Sequence, residues 1–305
     1  MTSRGRNIHS FEIALDAPAV CNEISNLLKS MIKILNRDGA VVSVSGGLDS
    51  AVAATLTVHS LGTEKVHLLN MPEKDSSPIH RRHVKQLAEH LNVQLTIKSI
   101  TSILKATGTY RLLPLRFIPT RRLRERVFSY RRSKMSSEDE EDILVNRLRP
   151  IANSWVAKVN AYAMSKHRTR MLVLYQYAEV HNLMVVGAAN RTEWLTGTFS
   201  KWGVDHCADV MPLIHVHRSQ LDELAEYLQI PKSIRTKAAD PDIVPSFSNK
   251  EELLGNFATV DKILYGIEKK ITKDELCRIY GKILVERVFI LQELSKHMRE
   301  SPYTL

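Results

Sequence analysis

Six residues, Ser45-Gly46-Gly47-Leu48-Asp49-Ser50, follow the β-branched run Val41-Val42-Ser43-Val44 and precede a stretch of helical character from Ala51 to Leu61. Glycines at a strand-to-helix turn let backbone N–H groups curl round a phosphate at a helix N-terminus, and the serines Ser43, Ser45 and Ser50 add hydroxyl donors. A kinase-type phosphate loop needs a lysine beside its Ser/Thr, and Asp49 stands in that neighbourhood instead. An acid there suits a pyrophosphate bridged by Mg2+. A second set starts at Met184-Val185-Val186, which runs into Gly187 and then Ala188-Ala189-Asn190-Arg191-Thr192-Glu193. This is again a strand end, a glycine turn and a helix start, the place where open α/β sheets bind ligands. Lys201, Trp202, Asp205 and Asp209 follow within a short reach. Singly, Glu193 reads as a solvated or capping residue and Lys201 as an exposed cation. Jointly they read as one site. His206 and Cys207 do not read as a base and nucleophile, because adjacent residues on a strand or helix point apart.

The elements that must position these groups are legible as alternation. Apolar β-branched segments at Ala40 to Val44, Val66 to Leu69, Val93 to Ile97 and Leu183 to Val186 alternate with helical patterns. That alternation implies crossovers and a doubly wound α/β fold, a mainly parallel sheet flanked by helices. Met171, Leu174, Tyr175 and Ala178 recur at helical spacing, which predicts a helix packed on the sheet with Arg168 and Arg170 free to face a ligand. Thr272-Lys273-Asp274-Glu275 reads as a capping box opening a helix to about His297, with Leu276, Ile279, Tyr280 and Ile283 as its buried stripe. Between Lys105 and Pro150 periodicity fails. That charged insertion carries Arg121, Arg122, Arg124, Arg126, Arg131, Arg132 and Lys134, then the acidic run from Glu138 to Asp142. Its opposite charges read as a solvated excursion, with a lid or polyanion-binding flap as the sharper alternative.

The chain has 305 residues, 44% of them hydrophobic, enough for one large catalytic domain over 1–305 with the 105–150 insertion inside it. No signal-peptide h-region and no long apolar span is present, so the expectation is a cytoplasmic protein without membrane association. Cys21, Cys207 and Cys277 have no CxxC spacing, which argues against structural zinc and disulfides. A net charge of +10 favours polyanionic partners, for which anionic nucleotides suffice without nucleic acid.

The SGGxDS loop resembles the signature of the ATP pyrophosphatase-loop enzymes, of adenine nucleotide alpha hydrolase-like fold, which split ATP to pyrophosphate and adenylate a substrate oxygen. Several further segments resemble the ammonia-dependent NAD synthetase family. They are Met71 to Pro78, Lys166 to Met171, Asn190-Arg191-Thr192-Glu193 with Gly197 and Lys201, Arg218-Ser219-Gln220, Asp240 to Pro245, and His297-Met298-Arg299. The resemblance implies ATP contacts from Ser43, Ser45, Gly46, Gly47, Asp49, Ser50, Arg218 and Asp240, and Mg2+ on Asp49 and Glu193. It implies that Asp49, Glu193 and Lys201 carry catalysis. Arg168, Lys201, Asp209 and His297 would meet deamido-NAD, His297 across a homodimer interface. Ammonia would arrive free or from a separate glutamine amidotransferase, since only the insertion is left unassigned. Within the site the chain departs from the family pattern. Ala188 stands where a threonine is usual, Asp240 where Ser/Thr is usual, and Val204-Asp205-His206 replaces an Asp-Gly-Gly loop that is one residue shorter. The acidic pair usual after the late loop is missing around Asn249-Lys250. Three alternatives stay open: the same amidation on another carboxylate such as a sugar acid, an RNA base-modifying adenylating enzyme that uses the arginines of the insertion, and a non-catalytic nucleotide sensor.

Overall fold

The computed structural model describes residues 13–113, 123, 126, 143–204, 206–236 and 255–300. Asp205, Asp240 and most of the arginines of the insertion lie outside them. In chain order the helices and strands are α1 (Ala17–Ile34), β1 (Gly39–Ser43), α2 (Leu48–Leu61), β2 (Val66–Asn70), α3 (Pro78–Leu91), β3 (Leu95–Ile97) and α4 (Thr101–Ala106). There follow α5 (Ile143–Leu148), α6 (Trp155–Val180), β4 (Leu183–Val186), α7 (Arg191–Thr196), α8 (Arg218–Tyr227) and α9 (Lys232–Arg235). The chain closes on α10 (Phe257–Glu268), α11 (Lys273–Tyr280), α12 (Lys282–Leu294) and α13 (Lys296–Arg299).

The four strands pair in the order β3-β2-β1-β4, and every pair is parallel, with Ala40 opposite Val66 and Met184 and Leu68 opposite Leu95. Alternate residues take opposite faces of each strand. Ala40 and Val42 of β1, Leu68 of β2 and Met184 and Val186 of β4 pack with α1, α2, α3 and α8. Val41, Leu69 and Val185 pack on the other face, against α4 and α6. The sheet is thus covered on both sides, as the near-continuous apolar strands require. The chain winds from β1 through α2 to β2 on one side, and β4 joins β1 on the other. The gap between the carboxyl ends of β1 and β4 is therefore the topological switch point, where side chains from two strand-to-helix turns converge.

A separate core, Leu195 with Val260, Ile263, Leu264, Leu276, Val285 and Val288, joins the C-terminal helices to α7. The expected single helix from Thr272 to about His297 is three helices. Its start is as read, with Thr272 Oγ1 accepting from the Glu275 N–H, but Gly281 has φ +87° and ends α11. The axis turns there, so Ile283 is 87% exposed instead of joining the buried stripe. Ser295 then separates α12 from α13. At the ends of the expected 105–150 insertion the described residues include α4 and α5, and Leu113 and Leu144 are buried.

Candidate active site

β1 delivers the phosphate cradle directly. The Val44 N–H donates to the Leu69 carbonyl at 3.0 Å, and the Val44 carbonyl accepts from Asn70 Nδ2 at 2.7 Å, so the loop leaves from a pinned point. At Gly46 the chain takes φ +82°, and a Cβ would sit 2.5 Å from the His80 carbonyl oxygen. Only glycine meets both conditions. Ser50 Oγ gathers the turn, donating to the Gly47 carbonyl at 3.1 Å, accepting from the Ser45 N–H at 3.2 Å and lying 3.2 Å from Ser45 Oγ. The helix starts at Leu48, three residues before the expected Ala51, which puts Asp49 and Ser50 in its first turn. Gly47, the N-cap, makes no side-chain cap hydrogen bond to the first-turn N–H groups, an arrangement that suits an anion. Ser43 ends the strand immediately before this turn.

The turn after β4 is built to meet it. The Gly187 N–H donates to the Val210 carbonyl at 2.9 Å, and Asn190 then caps α7, its Oδ1 accepting from the Glu193 N–H at 3.0 Å. Glu193 Oε2 answers the Asn190 N–H at 3.4 Å, a reciprocal capping box. Asn190 Nδ2 reaches across to Asp49 Oδ1 at 2.6 Å. One buried asparagine therefore joins the two carboxylates expected to hold Mg2+. Their hard oxygens, with phosphate oxygens completing the shell, form the donor set that Mg2+ takes in nucleotide enzymes, so the residues present fit the ion. Among the described residues no group of three or more His, Cys, Asp or Glu side chains is clustered for a metal. Nothing in the sequence assigns Asn190 a site role. The Asn-to-Glu spacing signals a cap, whereas its bond to Asp49 crosses 141 positions and leaves no local signature.

The expected substrate residues divide. Lys201 Nζ donates to the His297 carbonyl at 2.7 Å, and Arg168 Nη2 to the Lys201 carbonyl at 3.4 Å. Arg168, Lys201 and His297 therefore gather within one chain. Asp209 is engaged differently: its Oδ2 accepts from the Val185 N–H at 2.8 Å and its Oδ1 from Tyr175 OH at 3.2 Å, against the edge of β4. Arg168 and Arg170 do not share a face either. Arg170 Nε turns to the Met71 carbonyl at 3.1 Å, as positions two apart on a helix must diverge. Arg218 opens α8, with Nη1 3.2 Å from Asp222 Oδ2 and its guanidinium 5.4 Å from the Phe257 ring centroid.

His206 and Cys207 form no dyad. His206 packs against both rings of the stacked Trp194–Phe199 pair, with centroids 5.5 and 5.1 Å away. Burial and then the Asp209 charge push the Cys207 thiol up, away from the thiolate.

Two further groups were missed as site elements. Arg147 of α5 donates to the Gly197 and Phe199 carbonyls, at the root of the turn that carries Lys201. Burial lowers its pKa to about 10, while the Glu193 charge works in the opposite direction. On the other flank, Glu73 Oε1 and Lys166 Nζ form an ion pair at 2.7 Å with side chains 0% and 1% exposed. Tyr110 OH donates to Glu73 Oε2 at 2.7 Å, and Tyr162 OH to Asp75 Oδ2 at 3.2 Å. Burial opposes the Glu73 charge, but Lys166, the Asp75 N–H and the Tyr110 hydroxyl outweigh it and hold the carboxyl below its ordinary range. Tyr162, Lys166 and Arg170 lie four residues apart on α6 and together clamp the loop after β2.

The NAD synthase family model matches residues 20–114 and 140–302, on both sides of the arginine-rich stretch. The NH(3)-dependent NAD(+) synthetase of Thermotoga neapolitana is 37% identical over 280 residues, covering 92% of this chain and 93% of its own. The enzyme of the same name from Methanocaldococcus jannaschii is 31% identical over 287 residues, covering 93% and 95%. Among solved structures, NMN synthetase from Francisella tularensis aligns with a TM-score of 0.69 at 24% identity over 96% of this chain and 99% of its own. The NH3-dependent NAD synthetase from Campylobacter jejuni aligns with a TM-score of 0.68 at 20% identity, covering 95% and 100%. At those identities the two structures speak for the fold, the parallel sheet with helices on both faces. With a matching family model over most of its length and relatives above 30% identity, the chain belongs to the NAD synthase family.

Proposed function

We propose that this protein is an ATP-dependent amide ligase that converts deamido-NAD to NAD with ammonia, releasing AMP and pyrophosphate. The observation that carries the reading is the Asp49–Asn190–Glu193 bridge beside the Ser45–Ser50 cradle, at the switch point of the sheet. The family names of the relatives support the substrate.

The substrate carboxylate oxygen attacks the α-phosphorus of ATP, and the bond to the β-phosphate oxygen breaks, giving an acyl-adenylate and pyrophosphate. Ammonia adds to the activated carbonyl, loses a proton, and AMP departs. The N–H groups of the cradle and the hydroxyls of Ser45 and Ser50 hold the leaving pyrophosphate, so the reacting phosphorus is positioned before attack. Asp49 and Glu193 would hold Mg2+, which would supply charge neutralisation on the phosphates. Asn190 keeps those carboxylates a fixed distance apart. Lys201 exchanges the His297 carbonyl for a developing anionic oxygen, and Arg168 binds a phosphate of the dinucleotide. Arg218 contacts ATP from the N-terminus of α8, and Asp240 belongs to the late nucleotide loop. No covalent enzyme intermediate is required.

Residues 1–305 act as one catalytic domain, in a cytoplasmic homodimer, with 105–150 as an insertion. Among the described residues no helix is long and apolar enough to cross a membrane. The same chemistry on a different carboxylate is the competing reading, favoured by Ala188, which lacks the hydroxyl usual at that strand end. Incubation with ATP, Mg2+, saturating ammonium and deamido-NAD should yield NAD, AMP and pyrophosphate in equal amounts. No turnover, with pyrophosphate exchange supported by another acid, would overturn the substrate assignment.

A further inference from the structure

Asp261, on α10, is fully buried with 0% exposure, yet it touches none of the groups assigned to ligand. A carboxylate so enclosed persists as an anion only where donors replace its water. Its Oδ2 accepts from the Ser219 N–H at 2.7 Å, and its Oδ1 accepts from the Thr192 hydroxyl. His217 Nδ1 lies 3.7 Å from Oδ1. Thr192 Oγ1 in turn accepts from the Arg218 N–H at 2.8 Å, and the Arg191 N–H donates to the Val216 carbonyl at 2.8 Å. The first turns of α7 and α8 are thereby tied to one carboxylate. Each tied residue adjoins one assigned above to the nucleotide: Thr192 precedes Glu193, and Ser219 follows Arg218.

We propose that Asp261 is a positioning residue for the adenylation step, setting α7 against α8 so that Glu193 and Arg218 meet the same ATP. The assignment rests on the amide-ligase reading above. A carboxylate is needed because both of its oxygens must accept. The isosteric Asn has one acceptor oxygen, and its amide N–H groups would oppose one of the two donors. Among the described residues, the bonds of Asp261 and Thr192 go to the first turns of α7 and α8 and none to Arg168, Lys201 or His297, so the nucleotide half of the site should feel their loss first.

The test is Asp261→Asn and Thr192→Val in the full-length enzyme, read by steady-state kinetics in each substrate and by direct titration with Mg2+ and α,β-methylene ATP. The proposal expects kcat/KM for MgATP and analogue affinity to fall about tenfold or more, while KM for deamido-NAD moves less than twofold. Analogue affinity and MgATP kinetics within twofold of wild type in a folded Asp261→Asn would overturn it. So would a parallel loss for both substrates that tracks the unfolded fraction. If Asp261→Asn does not fold, Thr192→Val decides, since it keeps the β-branched shape and removes only the bridging hydroxyl; unchanged constants there sink the proposal. The titration needs neither deamido-NAD nor turnover, so failure of wild type to make NAD would discredit the substrate assignment and leave this comparison intact.

Discussion

Asn190 shows how one side chain can carry two roles. As N-cap it satisfies the Glu193 N–H, a role worth about 1 kcal/mol. As donor to Asp49 it makes a charge-assisted bond, worth roughly 1.5–3 kcal/mol and sensitive to geometry. Asn190→Ala should therefore cost about 1 kcal/mol of stability but lower pyrophosphate release by about ten- to a hundredfold. Denaturant unfolding alongside a pyrophosphate assay separates the two, and a rate loss no larger than the unfolded fraction would count against the bridge. Asn190→Ser tests the division further: it retains a capping oxygen but cannot reach Asp49, so stability should recover and the rate should not. At Gly46, alanine meets a left-handed backbone costing roughly 1–2 kcal/mol and the His80 carbonyl at 2.5 Å. Gly46→Ala should displace the cradle from α3 and weaken ATP-analogue binding at least tenfold, measured by titration; unchanged affinity would show that the loop relaxes elsewhere.

The loop between β2 and α3 is held by an element rather than by its own turns. Lys166, Tyr162 and Arg170 on α6 reach Glu73, Asp75 and the Met71 carbonyl, while the first turn of α3, which the loop enters, meets the cradle through His80 at Gly46. Lys166→Met should cost about 3–5 kcal/mol, because it strands a buried carboxylate, and Lys166→Met with Glu73→Gln should recover part of it. Acid dependence follows from the same pair. Glu73 has a folded pKa below its ordinary value of 4.5, so its stabilisation is complete above that value. It is lost as pH falls through the lowered folded pKa. Unfolding titrations below neutral pH should show this slope in wild type and a weaker one in Lys166→Met; identical slopes would place the acid sensitivity elsewhere. None of this clamp was legible as a site, since a lysine among Tyr162, Ala163 and His167 on a mixed helix face looks like any surface cation. The β-strands and the cradle were legible because their signals are local in sequence. The break at Gly281 was not, because Leu276, Ile279 and Tyr280 continue a helical period through a residue that helices also tolerate.

At the scale of the whole molecule, two cores share the chain. The sheet with its two helical layers presents the cradle, and the C-terminal helices, through Leu195, support α7 from behind. The family match resumes at residue 140, and Arg147 on the nearby α5 holds the carbonyls beside Lys201. The expectation is that the arginine-rich stretch between the matched segments is separable from the chemistry. Replacing residues 121–134 with a short Gly/Ser linker should leave amidation within twofold of wild type, read by steady-state kinetics. Loss of amidation would make the stretch part of the catalytic unit.

Sequence alone determined the glycine turn after β1, the parallel α/β plan and the family pattern, because each is carried by short local segments. Tertiary structure decided which distant groups share a site. Asp49 meets Glu193 through Asn190 because β1 and β4 are neighbours with helices leaving the same end of the sheet. Lys201 meets His297 because the C-terminal helices fold back on α7, and Asp209 turns to the β4 edge because Val185 there needs an acceptor. Hydrogen-bond partners far apart in sequence leave no periodic trace, and only packing brings them together.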